Sequence, residues 1–65
     1  MKRWNNRASD YTENEKIDSF LADVVEVCKK HGMSISHEDA HGAFIVEPFD
    51  EARVKWLMDA QDGTQ

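Results

Sequence analysis

The sequence predicts a small single domain of the α+β class, with the order helix, β-hairpin, helix (αββα). Three observations carry this prediction: apolar residues at helical spacing in the first half, two short extended runs around a polar turn, and a second helical run near the end. A chain of 65 residues buries only about 60% of the surface that it exposes when unfolded. We therefore expect a two-stranded antiparallel sheet packed on two helices, with a thin core that favours self-association.

The first helix is predicted from apolar residues that recur at steps of three and four. Thr12, followed three residues later by Glu15, has the pattern of a capping box at its start. Basic side chains precede Gly32, which is placed to end the helix in the left-handed conformation. The apolar stripe consists of Ile17, Phe20, Leu21, Val24 and Cys28.

The hairpin is predicted from the runs MSISH and GAFIV, which flank the polar segment HEDAHG. Pro48 lacks an N–H and is expected to end the second strand. Alternation places Met33 and Ile35 on one face and Ser34 and Ser36 on the other. We expect the helices to cover one face and leave the serine face uncovered. Depending on the register, that face also carries either Phe44 and Val46 or Ala43 and Ile45.

The second helix is predicted to begin after Asp50, a favourable N-cap residue. Val54 and Leu57 continue at helical spacing, whereas Trp56 points away from that stripe. An exposed Trp beside an uncovered sheet face indicates a partner surface, which a second copy of the chain would fill by hairpin pairing across a two-fold axis. The alternative is that Trp56 folds over the edge of its own core.

The net charge of −5 is unevenly distributed, because three of the eight basic residues lie within the first seven positions. The remainder is strongly acidic and repels phosphate backbones. Nucleic acid is therefore expected to bind only through Lys2, Arg3, Trp4 and Arg7, and the alternative is a solvated tail. The predicted boundaries are a flexible basic N-terminal arm at 1–10, a single domain at 11–62 and a loose C-terminus at 63–65.

The segment HEDAH contains the zinc-protease string His37-Glu38-x-x-His41. Such a site requires both histidines on one face of a helix, whereas this string follows an alternating run and directly precedes a glycine. We predict a turn. Its residues are interpreted in three ways: as a solvated turn capped by Asp39, as a recognition loop, or as a divalent-metal site without protease chemistry.

No catalytic constellation is predicted elsewhere. Cys28 lies on the buried face of the first helix, and Ser34 and Ser36 lack a strained nucleophile turn. We therefore expect no enzyme activity, no cofactor and no resident metal. No apolar run approaches the roughly 18 residues that span a bilayer, so we expect no membrane association and a cytoplasmic location.

One set of residues within 27–57, a little under half of the chain, forms a recognisable motif: Ser34, Ile35, His37, Glu38, Asp39, Gly42, Ala43, Phe44, Glu47, Pro48 and Trp56. Through these residues the segment resembles small proteins of tailed bacteriophages and prophages. The resemblance carries no established activity and assigns no role to any residue. It implies a bacterial host, and it implies a non-enzymatic agent, since short acidic phage proteins mostly bind a host component.

The expected function is therefore non-catalytic binding, directed at host physiology or antiviral defence. The ligand is a host protein or a nucleotide-like molecule, and the protein is expected to be a homodimer or a higher homo-oligomer. The alternatives are a metal-dependent hydrolase that uses the His37-Glu38-x-x-His41 string, and a structural or virion-associated part. The predicted binding residues are His37, Glu38, Asp39, His41 and Trp56.

Overall fold

Two β-hairpins, each followed by an α-helix, form the chain, which a computed structural model describes over residues 1–64. The α+β class is confirmed, but the order is β-β-α-β-β-α, with one hairpin more than predicted. Each hairpin is a separate two-stranded antiparallel sheet. The elements are β1 (Lys2–Asn5), β2 (Asp10–Glu13), α1 (Glu15–His31), β3 (Met33–His37), β4 (Phe44–Pro48) and α2 (Glu51–Met58).

Helix α1 begins after Asn14, whose side chain accepts hydrogen bonds from the backbone N–H groups of Lys16 and Ile17. The predicted cap, Thr12, belongs instead to β2, so the helix begins slightly later than its sequence pattern indicates. Its end is as predicted, since Gly32 has a left-handed φ of 66°. A residue with a Cβ is strained in that conformation.

The N-terminal segment predicted to be a flexible arm at 1–10 is instead β1, a turn and the start of β2. Arg3 explains the difference, because only 2% of it is exposed. Its Nη1 donates to the carbonyls of Met58 and Ala60 at 2.9 and 2.8 Å, and its Nη2 binds Asp18 at 2.5 Å. A guanidinium presents several donors in a fixed plane, which suits three acceptors supplied by two other parts of the fold.

The turn of the first hairpin is held by Asn5, whose Oδ1 accepts from the N–H groups of Arg7 and Ala8. Trp4 and Tyr11 face each other across the strands, with ring centroids 5.4 Å apart and an edge-on geometry. Cross-strand aromatic pairs of this kind stabilise a short hairpin.

The C-terminal segment at 63–65 was predicted to be loose, and Gln65 lies outside the described residues. Asp62 just before it is buried and forms a bridge with β1. One Asp62 oxygen accepts from the N–H and hydroxyl of Thr64, and the other accepts from the Asn14 amide. These bonds lower the pKa of Asp62, with the Thr64 hydroxyl making the largest contribution.

In the second hairpin, Ile35 lies opposite Val46 and Ser36 opposite Ile45. The expectation about its faces is wrong, because Ser34 is fully buried and Ser36 nearly so. The serine face is the covered one.

Small size and satisfied hydroxyls explain the burial of the serines. Ser34 donates its hydroxyl to the Pro48 carbonyl at 3.1 Å, and Ser36 donates to a Glu47 carboxylate oxygen at 3.3 Å. Glu47 in turn binds Arg53 of α2 at 3.1 Å. With short bonded side chains on this face, both helices lie against β3.

The hydrophobic core is thin, as expected for this length. The buried apolar side chains among the described residues are Leu21 and Cys28 of α1 and Val54 of α2. The burial of Cys28 agrees with its predicted place in the core. By contrast, Phe20 of the predicted stripe is 65% exposed. The large apolar side chains of the hairpin also remain outside this core.

Candidate functional site

The uncovered face of the second hairpin, termed here the apolar sheet face, consists of Met33, Ile35, Phe44 and Val46. These residues share one side of the sheet because directly opposite residues of an antiparallel pair point the same way. Phe44 and Val46 are 83% and 66% exposed. Contiguous exposed apolar side chains of this kind are typical of interaction surfaces.

A groove of about 330 Å³ runs between the turn end of this sheet and α2. It is termed here the aromatic groove, and its volume lies within the range of small-ligand sites, which is about 300–1,000 Å³. Trp56 lies beside it and is 42% exposed. Its walls include Ile35, His37, Phe44, Trp56, Leu57 and Ala60.

His37 and Trp56 form one wall of the aromatic groove, with ring centroids 4.6 Å apart and planes tilted by 35°. The last residue of β3 and the middle of α2 bring these two rings together. The guanidinium carbon of Arg53, one turn earlier in α2, lies 5.9 Å from the centroid of the Trp56 ring. The same guanidinium is paired with the Glu47 carboxylate. The indole is thus held between two neighbours, which restricts its rotation and favours a preformed wall.

The HEDAH segment begins at the end of β3 and continues into a turn, as predicted, with Gly42 at a positive φ of 69°. Glu38 organises this turn. Its backbone N–H donates to the Ala43 carbonyl at 3.0 Å, and its carboxylate accepts from the N–H groups of Ala40 and His41. The capping side chain is therefore that of Glu38, whereas the sequence indicated Asp39.

The Glu38 carboxyl has a lowered pKa although partial burial opposes its ionised form. The hydrogen bonds from the backbone of His41, Ala43 and Ala40, together with the His41 side chain, outweigh that burial. A carboxylate that accepts several backbone N–H groups is stabilised in its charged state. Glu38 consequently acts as a structural anion in the turn.

Of the five predicted binding residues, His37 and Trp56 are brought together from two different elements, whereas Glu38, Asp39 and His41 lie close only to residues of their own turn. The side chains of Asp39 and His41 are 94% and 87% exposed and point into solvent. Glu38 is engaged within the turn. The binding role of all five stays a prediction, but a site shared by His37 and Trp56 has defined geometry, and one shared by the two histidines does not.

The two imidazoles of the string lie near different carboxylates. Nδ1 of His37 is 3.7 Å from Asp39, and Nδ1 of His41 is 3.4 Å from Glu38. Within residues 1–64 no group of three or more His, Cys, Asp and Glu side chains is placed to hold a metal ion. The helix that a zinc-protease string requires is also not formed at this position.

The electrostatic character of the aromatic groove is nearly neutral. Among the described residues that line it, only His37 and Asp59 carry titratable side chains, and none is Lys or Arg. Arg53 nearby is paired with Glu47. A phosphate group would meet no unpaired cation in this lining, whereas an apolar or aromatic side chain would be accommodated.

Sequence analysis missed Phe44, Ile35 and Leu57 as groove residues. The alternation in MSISH and FIVEP separates the residues of each strand into two faces, so it contained a usable signal for Ile35 and Phe44. The error came from assigning the apolar face to the core. Leu57 gave no such signal, because its position beside the groove depends on how α2 crosses the sheet.

The basic residues proposed for nucleic-acid contact are divided by the first hairpin. Arg3 is buried and its guanidinium donates to backbone carbonyls of the same chain, and Trp4 packs on Tyr11. Lys2 and Arg7 remain exposed. Two separated cations provide a smaller electrostatic footprint than the four-residue arm that the sequence indicated.

Two further findings concern the chain as a whole. No helix within residues 1–64 has both the length and the apolar character that a bilayer crossing requires. Comparisons of the chain with protein-family models, with curated proteins and with solved structures found no match.

Proposed function

We propose that this chain is a non-catalytic binding protein that holds an apolar segment of another protein in the aromatic groove and on the adjoining apolar sheet face. One observation carries the proposal: Phe44 and Trp56 border one groove while they are 83% and 42% exposed. Leaving large aromatic side chains in water is unfavourable by about 25 cal/mol per Å² of apolar surface. A partner that covers them recovers that free energy.

The chemistry of the groove favours a protein segment over a nucleotide-like ligand. Stacking on Trp56 would suit a base, but the phosphate would lie near Asp59 without a free cation in the lining. The chain as a whole also carries a net charge of −5. An apolar side chain inserted between Phe44 and Trp56 meets neither obstacle, and aromatic anchors of this type commonly dominate the binding energy of interfaces.

The resemblance of residues 27–57 to phage proteins supports a host protein as the partner. The host component, the action on host physiology or defence, and the cytoplasmic setting belong to this proposal. A non-catalytic role is supported by the engagement of Glu38 in its turn and by the burial of Cys28 at 5% exposure. A buried thiol and a turn-capping carboxylate are poorly placed to reach a substrate.

The test is site-specific photocrosslinking, followed by affinity measurement with the partner that it identifies. A photoreactive phenylalanine analogue replaces Phe44 in one sample and Phe20 in the other. Phe20 is a matched control, since it is also an exposed phenylalanine but lies on α1 away from the aromatic groove. We expect a defined crosslinked species from position 44 and not from position 20.

Affinity measurements then distinguish specific binding in the aromatic groove from nonspecific association with exposed apolar side chains. Trp56→Ala should raise the Kd for the purified partner about 30-fold, because truncating an anchoring aromatic costs about 2 kcal/mol. Phe20→Ala should leave the Kd unchanged. Equal losses in the two variants, or equal crosslinking from both positions, would refute the groove as the binding site. Saturable binding of a nucleotide that Trp56→Ala abolishes would replace the protein ligand with a small one.

A further inference from the structure

The outer edge of β4 pairs with no other strand in residues 1–64, and we propose that it pairs antiparallel with β4 of a second copy of this chain, with Ile45 on the two-fold axis. The backbone of β3 lies close to both helices, whereas the backbone of β4 lies close only to β3 among the described elements. An open strand edge carries a row of free N–H and C=O groups that readily accept another strand. This inference concerns the backbone of β4 and does not depend on the aromatic groove.

The hydrogen bonds of the hairpin show which backbone groups point outward. The N–H of Glu38 donates to the Ala43 carbonyl at 3.0 Å, and the N–H of Phe49 donates to the Gly32 carbonyl at 2.8 Å. Bonding alternates along an antiparallel pair, so positions 43, 45, 47 and 49 face β3. The N–H and C=O groups of Phe44 and Val46 therefore face the open edge.

These outward groups select one register. If Ile45 lies opposite the partner's Ile45, then Phe44 lies opposite the partner's Val46, and every outward N–H and C=O of both residues is bonded. The pairing forms four hydrogen bonds between the copies.

The neighbouring registers are poorer. Centring the pair on Phe44 places Val46 opposite the partner's Gly42, which has a left-handed φ and lies in the turn. Centring it on Val46 places Phe44 opposite the partner's Pro48, which has no N–H and whose carbonyl already accepts from a serine. Only the register centred on Ile45 keeps both bonded pairs within extended residues.

The size and shape of the chain fit a subunit of a dimer better than an isolated domain. Its accessible surface is 5076 Å², whereas a monomer of its mass is expected to expose about 4,200 Å². The surplus of about 800 Å² matches what one partner contributes to a standard interface. The radius of gyration is 12.6 Å, against about 11 Å for a compact chain of this length.

The chemistry of β4 also permits self-pairing. Natural edge strands are commonly protected by lysine, by inward charges or by a proline within the strand. The segment FIVEP contains no lysine, and its proline is the last residue. Its one charged residue, Glu47, is paired with Arg53 at 3.1 Å, so the two strands meet without an uncompensated charge. The product is a four-stranded sheet in which both apolar sheet faces lie on the same side.

Cysteine crosslinking tests the register directly. Directly opposite residues in a non-hydrogen-bonded antiparallel pair have Cα atoms about 4.5 Å apart, which a disulfide can bridge. Ile45→Cys should therefore give a covalent dimer under mild oxidation. Val46→Cys is the matched control, because Val46 and the partner's Val46 would be about 9 Å apart in this register, beyond the reach of a disulfide. Both variants retain the buried Cys28.

Sedimentation of the native chain and of Val46→Pro provides the second measurement. The Val46 N–H faces outward, so proline removes no bond within the monomer but removes two of the four between copies. We expect the native chain to sediment as a dimer and Val46→Pro to raise the Kd of dimerisation about 30-fold with an unchanged circular dichroism spectrum. Val46→Ala, which keeps the N–H, should remain dimeric.

Three results would overturn the inference. One is a native chain that stays monomeric at several hundred micromolar. Another is crosslinking of Val46→Cys without crosslinking of Ile45→Cys, which would indicate packing of the apolar sheet faces against each other. The third is a Val46→Pro variant that remains folded and dimerises as tightly as the native chain.

Discussion

Replacing Arg3 with methionine should strongly destabilise this domain, although Arg3 belongs to a segment without a single apolar run. The side chain is 2% exposed and connects β1 to the end of α2 through the carbonyls of Met58 and Ala60. Methionine has a similar length and fills the space, but it donates no hydrogen bond. The substitution therefore isolates the bonds from the packing.

The magnitude follows from the contacts of the guanidinium. Hydrogen bonds from a charged donor contribute about 1.5–3 kcal/mol each, and two carbonyls lose such a bond. The Nε of Arg3 has no partner within the described residues, so removing it offsets part of the loss. Asp18 is 27% exposed, and water can replace its lost partner. We expect a net decrease in the free energy of unfolding of about 3 kcal/mol, or at least about 12 °C in Tm.

Urea unfolding followed by circular dichroism measures this change, at one fixed protein concentration because dimerisation would add to the apparent stability. Arg7→Met is the matched control, since Arg7 is exposed and its side chain makes no hydrogen bond to any described residue. It should change the free energy of unfolding by less than about 0.5 kcal/mol. An Arg3→Met variant as stable as the native chain, or an equal loss in Arg7→Met, would show that Arg3 does not hold the first hairpin in place.

Three further outcomes are expected. In a thermal melt, Gly32→Ala should lower the free energy of unfolding by about 1 kcal/mol. The cause is the left-handed φ of 66° alone, since no atom lies within 4 Å of the added Cβ. Gly63→Ala, in open space and without a positive φ, should leave the free energy of unfolding unchanged in the same measurement. Asn14→Ala should cost at least about 1 kcal/mol, because it removes both the α1 cap and the hydrogen bond to the buried Asp62, and urea unfolding should show a larger loss than for Asn6→Ala. Asp18 has a lowered pKa, first because the N-terminal amine donates to it and then because Arg3 does. Its contribution to stability is therefore present above its ordinary pKa of 3.8 and is lost as the pH falls through the lower folded value. Asp18→Asn should reduce the acid-induced loss of stability in melts at pH 7 and pH 3, whereas Asn at the exposed Asp23 should not.

At the candidate site, local sequence patterns predict the turn but not the contact between His37 and Trp56. The turn at HEDAH was predicted because alternation before it and glycine at its end exclude a continuous helix, and both are local features. The pairing of His37 with Trp56 was not predicted, because it depends on where α2 crosses the end of the sheet. Spacing along the chain contains no information about that crossing.

The sequence by itself determined α1, β3, β4, α2 and the left-handed stop at Gly32, because periodicity and capping act within a few residues. Tertiary structure alone decided two features. The first hairpin is held by Arg3 through bonds to residues more than fifty positions away. The covered face of the second hairpin carries Ser34 and Ser36, because alternation defines two faces but only packing selects the one that two helices can approach closely.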